Sequence, residues 1–219
     1  MGQAVRIWDL PTRLFHWALA ALVVASIVTA NVGGNAMVWH MRSGLAILSL
    51  LLFRLLWGLV GGHWSRFRSF VVSPRMVWQY ARGRVVDPAG HSPLGALSVL
   101  GLLIALGLQA SAGLFSDDEI AFSGPFTALV SSQHVGQATW FHTEVGKWIV
   151  IGLVLLHVLA ITYYTLVRRK KLVRPMVLGD KVLNGDVPPS RDDGRTRLLA
   201  LALWTVCASG VAAAVKWLA

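Results

Sequence analysis

Seven histidines occur in the chain, and four of them fall in or at the edges of long apolar runs. In "HTEVGKWIVIGLVLLH", His142 opens the run and His157 closes it. His16 lies early in "RLFHWALAALVVASIVTAN", and His40 begins another apolar stretch. Imidazole is costly in lipid, and it is the commonest metal-ligating side chain, so an intramembrane histidine is read as functional. On a regular helix, fifteen residues put His157 about 22 Å from His142 and about 60° away around the axis. Both rings can then face the same bundle interior. Placed by depth, His40 and His142 share one membrane face, and His16 and His157 the other. Two imidazoles opposed across a helical bundle suit the axial positions of a haem iron. Zinc would need three or four protein ligands close together, and the pattern supplies none. His63, His91 and His134 sit at helix ends or in loops and are read as interfacial polar residues. His134 is the rival to His142, but a helical spacing of about 34 Å from His157 fits two haems within one bilayer poorly.

Two arginines accompany the histidines. Arg54 follows His40 by fourteen residues, so it faces nearly the same way about 21 Å deeper. A haem propionate there would satisfy its charge; a snorkelling arginine is the plainer alternative. Arg13 precedes His16 by one turn and is the second propionate candidate. Gly44 and Gly146 each follow a histidine by four residues, and Ala20 and Ala160 lie one turn beyond the other two. Small residues let a flat group approach a helix, although they serve ordinary helix packing in membranes as well.

The elements that carry these residues must be transmembrane helices. The 219-residue chain is 55% apolar and 14% charged, with ten tryptophans. Five segments meet the requirement of about 20 apolar residues: 13–31, 38–60, 93–115, 141–167 and 197–218. The net charge of +10 does not mark a nucleic-acid binder, because the basic residues lie between the apolar runs. Arg66, Arg68, Arg75, Arg82 and Arg84 lie in the loop after the second run, and Arg168, Arg169, Lys170, Lys171 and Arg174 follow the fourth. Loop 32–37 has no charge, and loop 116–140 has only Asp117, Asp118 and Glu119. The positive-inside rule then predicts a multi-pass protein of the bacterial inner membrane, N-terminus cytoplasmic and C-terminus periplasmic. The single cysteine, Cys207, excludes a disulfide framework or a Cys-based cluster. No cleavable signal pattern is seen at the N-terminus. Ser73 and Pro74 predict an interfacial helix in "SPRMVWQYARGR", and "SGPFTALVSS" predicts another after Pro125. Residues 182–196 read as a polar cytoplasmic linker.

Longer motifs carry a resemblance. "VRIWDLPTRLFHW", "FRLLWGLVGGHWSRFRSF", "GHSPLGALSVLGLL", and "FHTEVGKWIVIGLVLLHV" with "KLVRPMVLGDK" resemble the bacterial dihaem cytochrome b family. That family is cytochrome b561-like and includes the b-type subunit of nickel–iron hydrogenases. The resemblance covers about residues 4–181. It implies an all-α integral membrane fold: a four-helix bundle holding two haem b groups, through His40 and His142 on the outer side and His16 and His157 on the inner side. Residues 1–181 would form this domain, 182–196 the linker, and 197–219 an additional transmembrane helix. Thr143 stands where the family often has an acidic residue, with Glu144 next.

The function so implied is electron transfer across the bilayer. The partners would be quinone and a periplasmic c-type cytochrome or oxidoreductase subunit such as a hydrogenase, in a lipid setting and without nucleic acid. The alternative is a superoxide:quinone oxidoreductase. Its anionic substrate is disfavoured by the acidic loop and favoured by Arg42 and Lys147. A haem-free transporter is a third class, but the chain lacks the repeats and paired broken helices of one.

Overall fold

The computed structural model describes residues 2–218; Met1 and Ala219, the outermost residues of the flanking assignments, lie outside the described residues. Among the described residues, five helices are long and apolar enough to cross a membrane: Leu10–Val32, Gly34–Val60, Pro93–Gly113, Ser132–Leu166 and Gly194–Leu218. The protein is therefore an all-α integral membrane protein. The helices are α1 Leu10–Val32, α2 Met37–Val60, α3 Pro74–Ala81, α4 Pro93–Gly113, α5 Ser132–Trp140, α6 Lys147–Leu166, α7 Val173–Leu178 and α8 Gly194–Leu218. Two short strands, β1 Gln3–Arg6 and β2 Asp180–Leu183, pair antiparallel, with Gln3 opposite Leu183. Half of the α2 apolar window is buried, against 6–17% for the other four spans. Those four present most of their apolar side chains outward, as helices facing lipid do.

The fourth span begins nine residues before the hydropathy boundary at 141. "SQHVGQATW" is too polar to register as membrane-spanning, yet it is helical and runs into a π-helical turn, Phe141–Gly146, before α6. The segment after Pro125 forms only a 3-10 turn, Thr127–Leu129, rather than a helix. Near Ser73 the expectation holds: the Ser73 side chain accepts the Met76 N–H at 3.4 Å, and Pro74 opens α3.

The chain clusters into two compact units. The first comprises Met1–Phe15, Arg54–Gly101 and Val154–Leu203; the second comprises His16–Phe53, Leu102–Leu153 and Trp204–Ala219.

The first unit is organised around Asp9, which is fully buried. As the N-cap of α1 it accepts the Thr12 N–H at 2.8 Å. It also accepts the Trp57 indole N–H at 3.2 Å and the Ser65 hydroxyl at 2.5 Å. Its negative charge acts on Arg54, which is 3% exposed. The Arg54 guanidinium lies 4.9 Å over Phe67 and 5.9 Å over Phe70. Val5, Ile7 and Trp8 form a small core packed against Trp64, Met176, Leu183 and Val187. The segment between β2 and α8 is tied to that core. The Ser190 N–H donates to the Arg6 carbonyl and its hydroxyl to the Ile7 carbonyl, both at 2.7 Å. The Trp64 indole donates to the Pro188 carbonyl at 2.8 Å. Asp192 holds Arg6 at 2.6 Å and Arg197 at 3.1 Å.

In the second unit, Val23, Ile47, Leu106 and Val150 are buried, one from each of α1, α2, α4 and α6, with Cys207 and Val211 from α8. Gly33 and Gly34 both take positive φ, 67° and 53°, in the turn between α1 and α2. That conformation favours glycine and lets the short uncharged loop close. The acidic loop is ordered by Asp118, whose Oδ1 accepts the N–H groups of Ile120, Ala121 and Phe122, each at 2.9 Å.

Gly62 is where the Asp9 network is most constrained: a Cβ there would lie 2.3 Å from Asp9 Oδ2. Gly62→Ala is expected to lower the thermal unfolding midpoint of the detergent-solubilised protein. Asp9→Ala is expected to destabilise by about 3 kcal/mol or more, because three buried donors lose their acceptor. Unchanged melting of both variants would contradict this.

Candidate functional site

His40 near the start of α2 and His142 in the π turn face one another inside the second unit. Their ring centroids are 5.9 Å apart and their planes are inclined by 76°. Each ring is held through Nδ1. His40 Nδ1 lies 2.9 Å from the Ser26 carbonyl and 3.1 Å from the Ser26 hydroxyl. His142 Nδ1 lies 2.9 Å from the Gln109 carbonyl. A carbonyl can only accept, so these partners assign the proton to Nδ1 in both rings. In neutral imidazole that leaves Nε2 with a free lone pair, the arrangement found in metal-ligating histidines.

Two rings sharing one metal ion must hold their coordinating nitrogens about 4 Å apart, given metal–imidazole bonds of about 2 Å. The 5.9 Å between centroids is compatible with that. Among the described residues, no three His, Cys, Asp or Glu side chains cluster as a metal cage. Haem needs no cage, since the macrocycle supplies the in-plane donors and the protein only the axial ones.

A cavity of about 390 Å³ adjoins both rings. Gly44 lines it, with nothing within 4 Å of where its Cβ would lie. Gly113 also lines it, and a Cβ there would come 2.9 Å from the His142 ring. Gly146 has a different role from the one its spacing suggests. Its missing Cβ accommodates Gln109, whose Oε1 would lie 2.0 Å away. Asp117, Asp118 and Lys147 line the same cavity. The Asp118 carboxyl lies outside the membrane-spanning segments. Hydrogen bonds from the Phe122, Ala121 and Ile120 backbone hold its pKa below the usual value.

The other two histidines have their own surroundings. His16, in the second unit, packs edge-on against Trp17 with centroids 4.9 Å apart. His157, in the first unit, has its Nδ1 3.2 Å from the Ser98 hydroxyl. Of the arginines, Arg13 donates to the Val177 carbonyl at 2.6 Å and lies 3.9 Å from Asp192. Arg54 is engaged by Asp9 and the two phenylalanines, and its Nη1 has no protein hydrogen-bond partner. His91 packs against Trp8 and Phe70, with both centroid separations 4.6 Å. His134 Nδ1 is 2.8 Å from the Ser131 hydroxyl.

Residue types alone do not reveal Ser26, Ser98, Gln109 and Gly113 as site residues. Helix α4 carries no interior histidine, yet it supplies Gln109 to His142 and Ser98 to His157. The Gln109 side chain also donates to the His142 carbonyl at 2.9 Å. A carboxamide in the apolar run "LGLLIALGLQASAG" was the available signal, since such a group needs a partner in lipid. The 60° reckoning between His142 and His157 also needs correction. It assumes a regular α-helix, and the π turn changes the phase next to His142.

Residues 7–179 match the family described as prokaryotic cytochrome b561. The chain is also similar to proteins named probable Ni/Fe-hydrogenase B-type cytochrome subunit. The one from Azotobacter vinelandii is 26% identical over 84% of this chain and 91% of its own length. That from Cupriavidus necator is 25% identical over 81% and 86%. That from Bradyrhizobium diazoefficiens is 22% identical over 81% and 85%. No solved structure matches. The residues matched make up most of the chain, and with them the protein belongs to the prokaryotic cytochrome b561 family, membrane b-type cytochromes of electron transfer that bind haem b.

Proposed function

We propose that the chain is a dihaem cytochrome that moves electrons across the bacterial inner membrane, between the quinone pool and a periplasmic redox partner. The observation that carries this reading is the opposed pair His40 and His142, each with Nδ1 turned to a backbone carbonyl. His16 and His157, matched by depth in the sequence, would be the ligands of the second haem. The arginine-rich loops support a cytoplasmic N-terminus, with the His40–His142 pair toward the periplasm.

Haem supplies reversible one-electron exchange when bound. The chain's own residues do the rest. The Ser26 and Gln109 carbonyls fix the ring orientations and raise the basicity of Nε2, the nitrogen that would hold the haem iron. Gly44 and Gly113 leave the space beside the rings open. Arg54 would meet a propionate through the Nη1 that lacks a protein partner. Arg13 is the weaker candidate, because Val177 and Asp192 already engage it.

Asp117 and Asp118 give the cavity a negative lining that suits a basic partner, such as a c-type cytochrome. The names of the relatives support a hydrogenase as the other partner class. The same carboxylates repel superoxide, and Lys147, which lines the same cavity, offsets only part of their charge.

Replacing His40 or His142 with Ala should abolish the same one of two b-haem components in a redox titration. Replacing His16 or His157 should abolish the other. Loss of a common component in His16→Ala and His142→Ala would contradict the pairing. Gly113→Val should shift the potential or visible band of the His40–His142 component and leave the other within error. Equal shifts of both would show that Gly113 does not act through the His142 ring.

A further inference from the structure

The end of α2 and the start of α8 enclose a second, smaller hollow in the first unit. It measures about 130 Å³ and is lined by Arg66, Arg191, Arg195 and Thr196 together with Val60 and Leu199. Three guanidinium groups border it and no carboxylate does. None of the three arginines has an ion pair among the described residues. The nearby acids are committed elsewhere. Asp193 accepts the Thr196 N–H at 2.8 Å and is one negative charge beside Arg191 and Arg195. Asp192 is held by Arg6, Arg13 and Arg197. Arg66 is fixed in place by its Nε–H, which donates to the Gly61 carbonyl at 2.8 Å. Its remaining N–H groups are left for another acceptor.

Like charges that converge on one hollow repel unless an anion lies between them. Planar guanidinium forks match phosphate oxygens, which they bind in bidentate fashion. The apolar flank identifies the rest of the ligand. Val60 and Leu199 are 50% and 46% exposed, at the ends of two membrane-spanning helices. A phosphate above and exposed aliphatic side chains beside it match a phospholipid at the membrane boundary. We propose that this pocket binds a phosphate group, and that its occupant is the headgroup of an anionic membrane lipid. Arg191 and Arg195 lie beyond the residues 7–179 that match the family, so α8 would act as one wall of a lipid clasp.

The test uses the full-length purified protein, with spin-labelled phosphatidylglycerol and phosphatidylcholine compared in nanodiscs. Inorganic phosphate is titrated separately in detergent. The double variant Arg191→Gln/Arg195→Gln removes two exposed cations that hold no ion pair. Helical content and the visible spectrum check that it folds, and Arg191→Lys/Arg195→Lys serves if it does not. The wild type should prefer phosphatidylglycerol, and the Gln variant should reduce that preference by about tenfold. The Lys variant keeps the charge without the fork and should reduce it less. Arginine-dependent binding of inorganic phosphate without an arginine-dependent preference for phosphatidylglycerol would keep the phosphate site and overturn the lipid as its occupant. Identical lipid preference and phosphate binding in wild type and both variants would overturn the proposal.

Discussion

The site depends on two hydrogen bonds from imidazole to backbone. His40 and His142 lie at the margins of apolar helices, where an unanchored ring would rotate or turn to solvent. The Ser26 and Gln109 carbonyls prevent both. A carbonyl cannot donate, so each bond fixes the tautomer as well as the ring. The two rings are thereby held with their centroids 5.9 Å apart. Much of the surrounding structure serves that geometry. The π turn accommodates His142, Gly113 makes room for its ring, and Gly146 makes room for Gln109.

The first unit meets a comparable constraint by different means. A buried carboxylate and a buried guanidinium are each costly alone; Asp9 accepts three hydrogen bonds, and Arg54 lies within the field of that carboxylate and over the rings of Phe67 and Phe70. Asp9 joins the start of α1 to Trp57 near the end of α2 and to Ser65 beyond it. The segment before α8 packs onto the same unit through Ser190, Pro188 and Asp192. The N-terminal strand, the α2 end and the approach to the last helix are thus bound into one polar assembly.

The five spans were legible because hydropathy is a local property and lipid demands length. The start of the fourth was not, because "SQHVGQATW" is a polar continuation of an apolar helix. The candidate ligands were legible for a related reason: imidazole in lipid is conspicuous. What holds them was not. A backbone carbonyl has no signature in the sequence, so neither Ser26 nor Gln109 could be identified as a ring anchor. The Gln109 side chain was visible as a carboxamide in lipid, but its target was not. Gly146 was ambiguous in the sequence: its spacing from His142 matched that of Gly44 from His40, and the packing alternative fits its neighbour, Gln109 on a different helix. The π turn Phe141–Gly146 left no mark in the sequence pattern. Asp9 read as part of a motif; its role as a buried hub depends on Trp57 and Ser65, distant in sequence.

The central claim is that four histidines hold two haem groups in one chain. Haem stoichiometry of the purified protein, read together with its low-temperature electron paramagnetic resonance spectrum, tests it most directly. The account predicts two haem b groups per chain, both low-spin with two imidazole ligands. One haem per chain, or a high-spin iron at the His40–His142 pair, would contradict it.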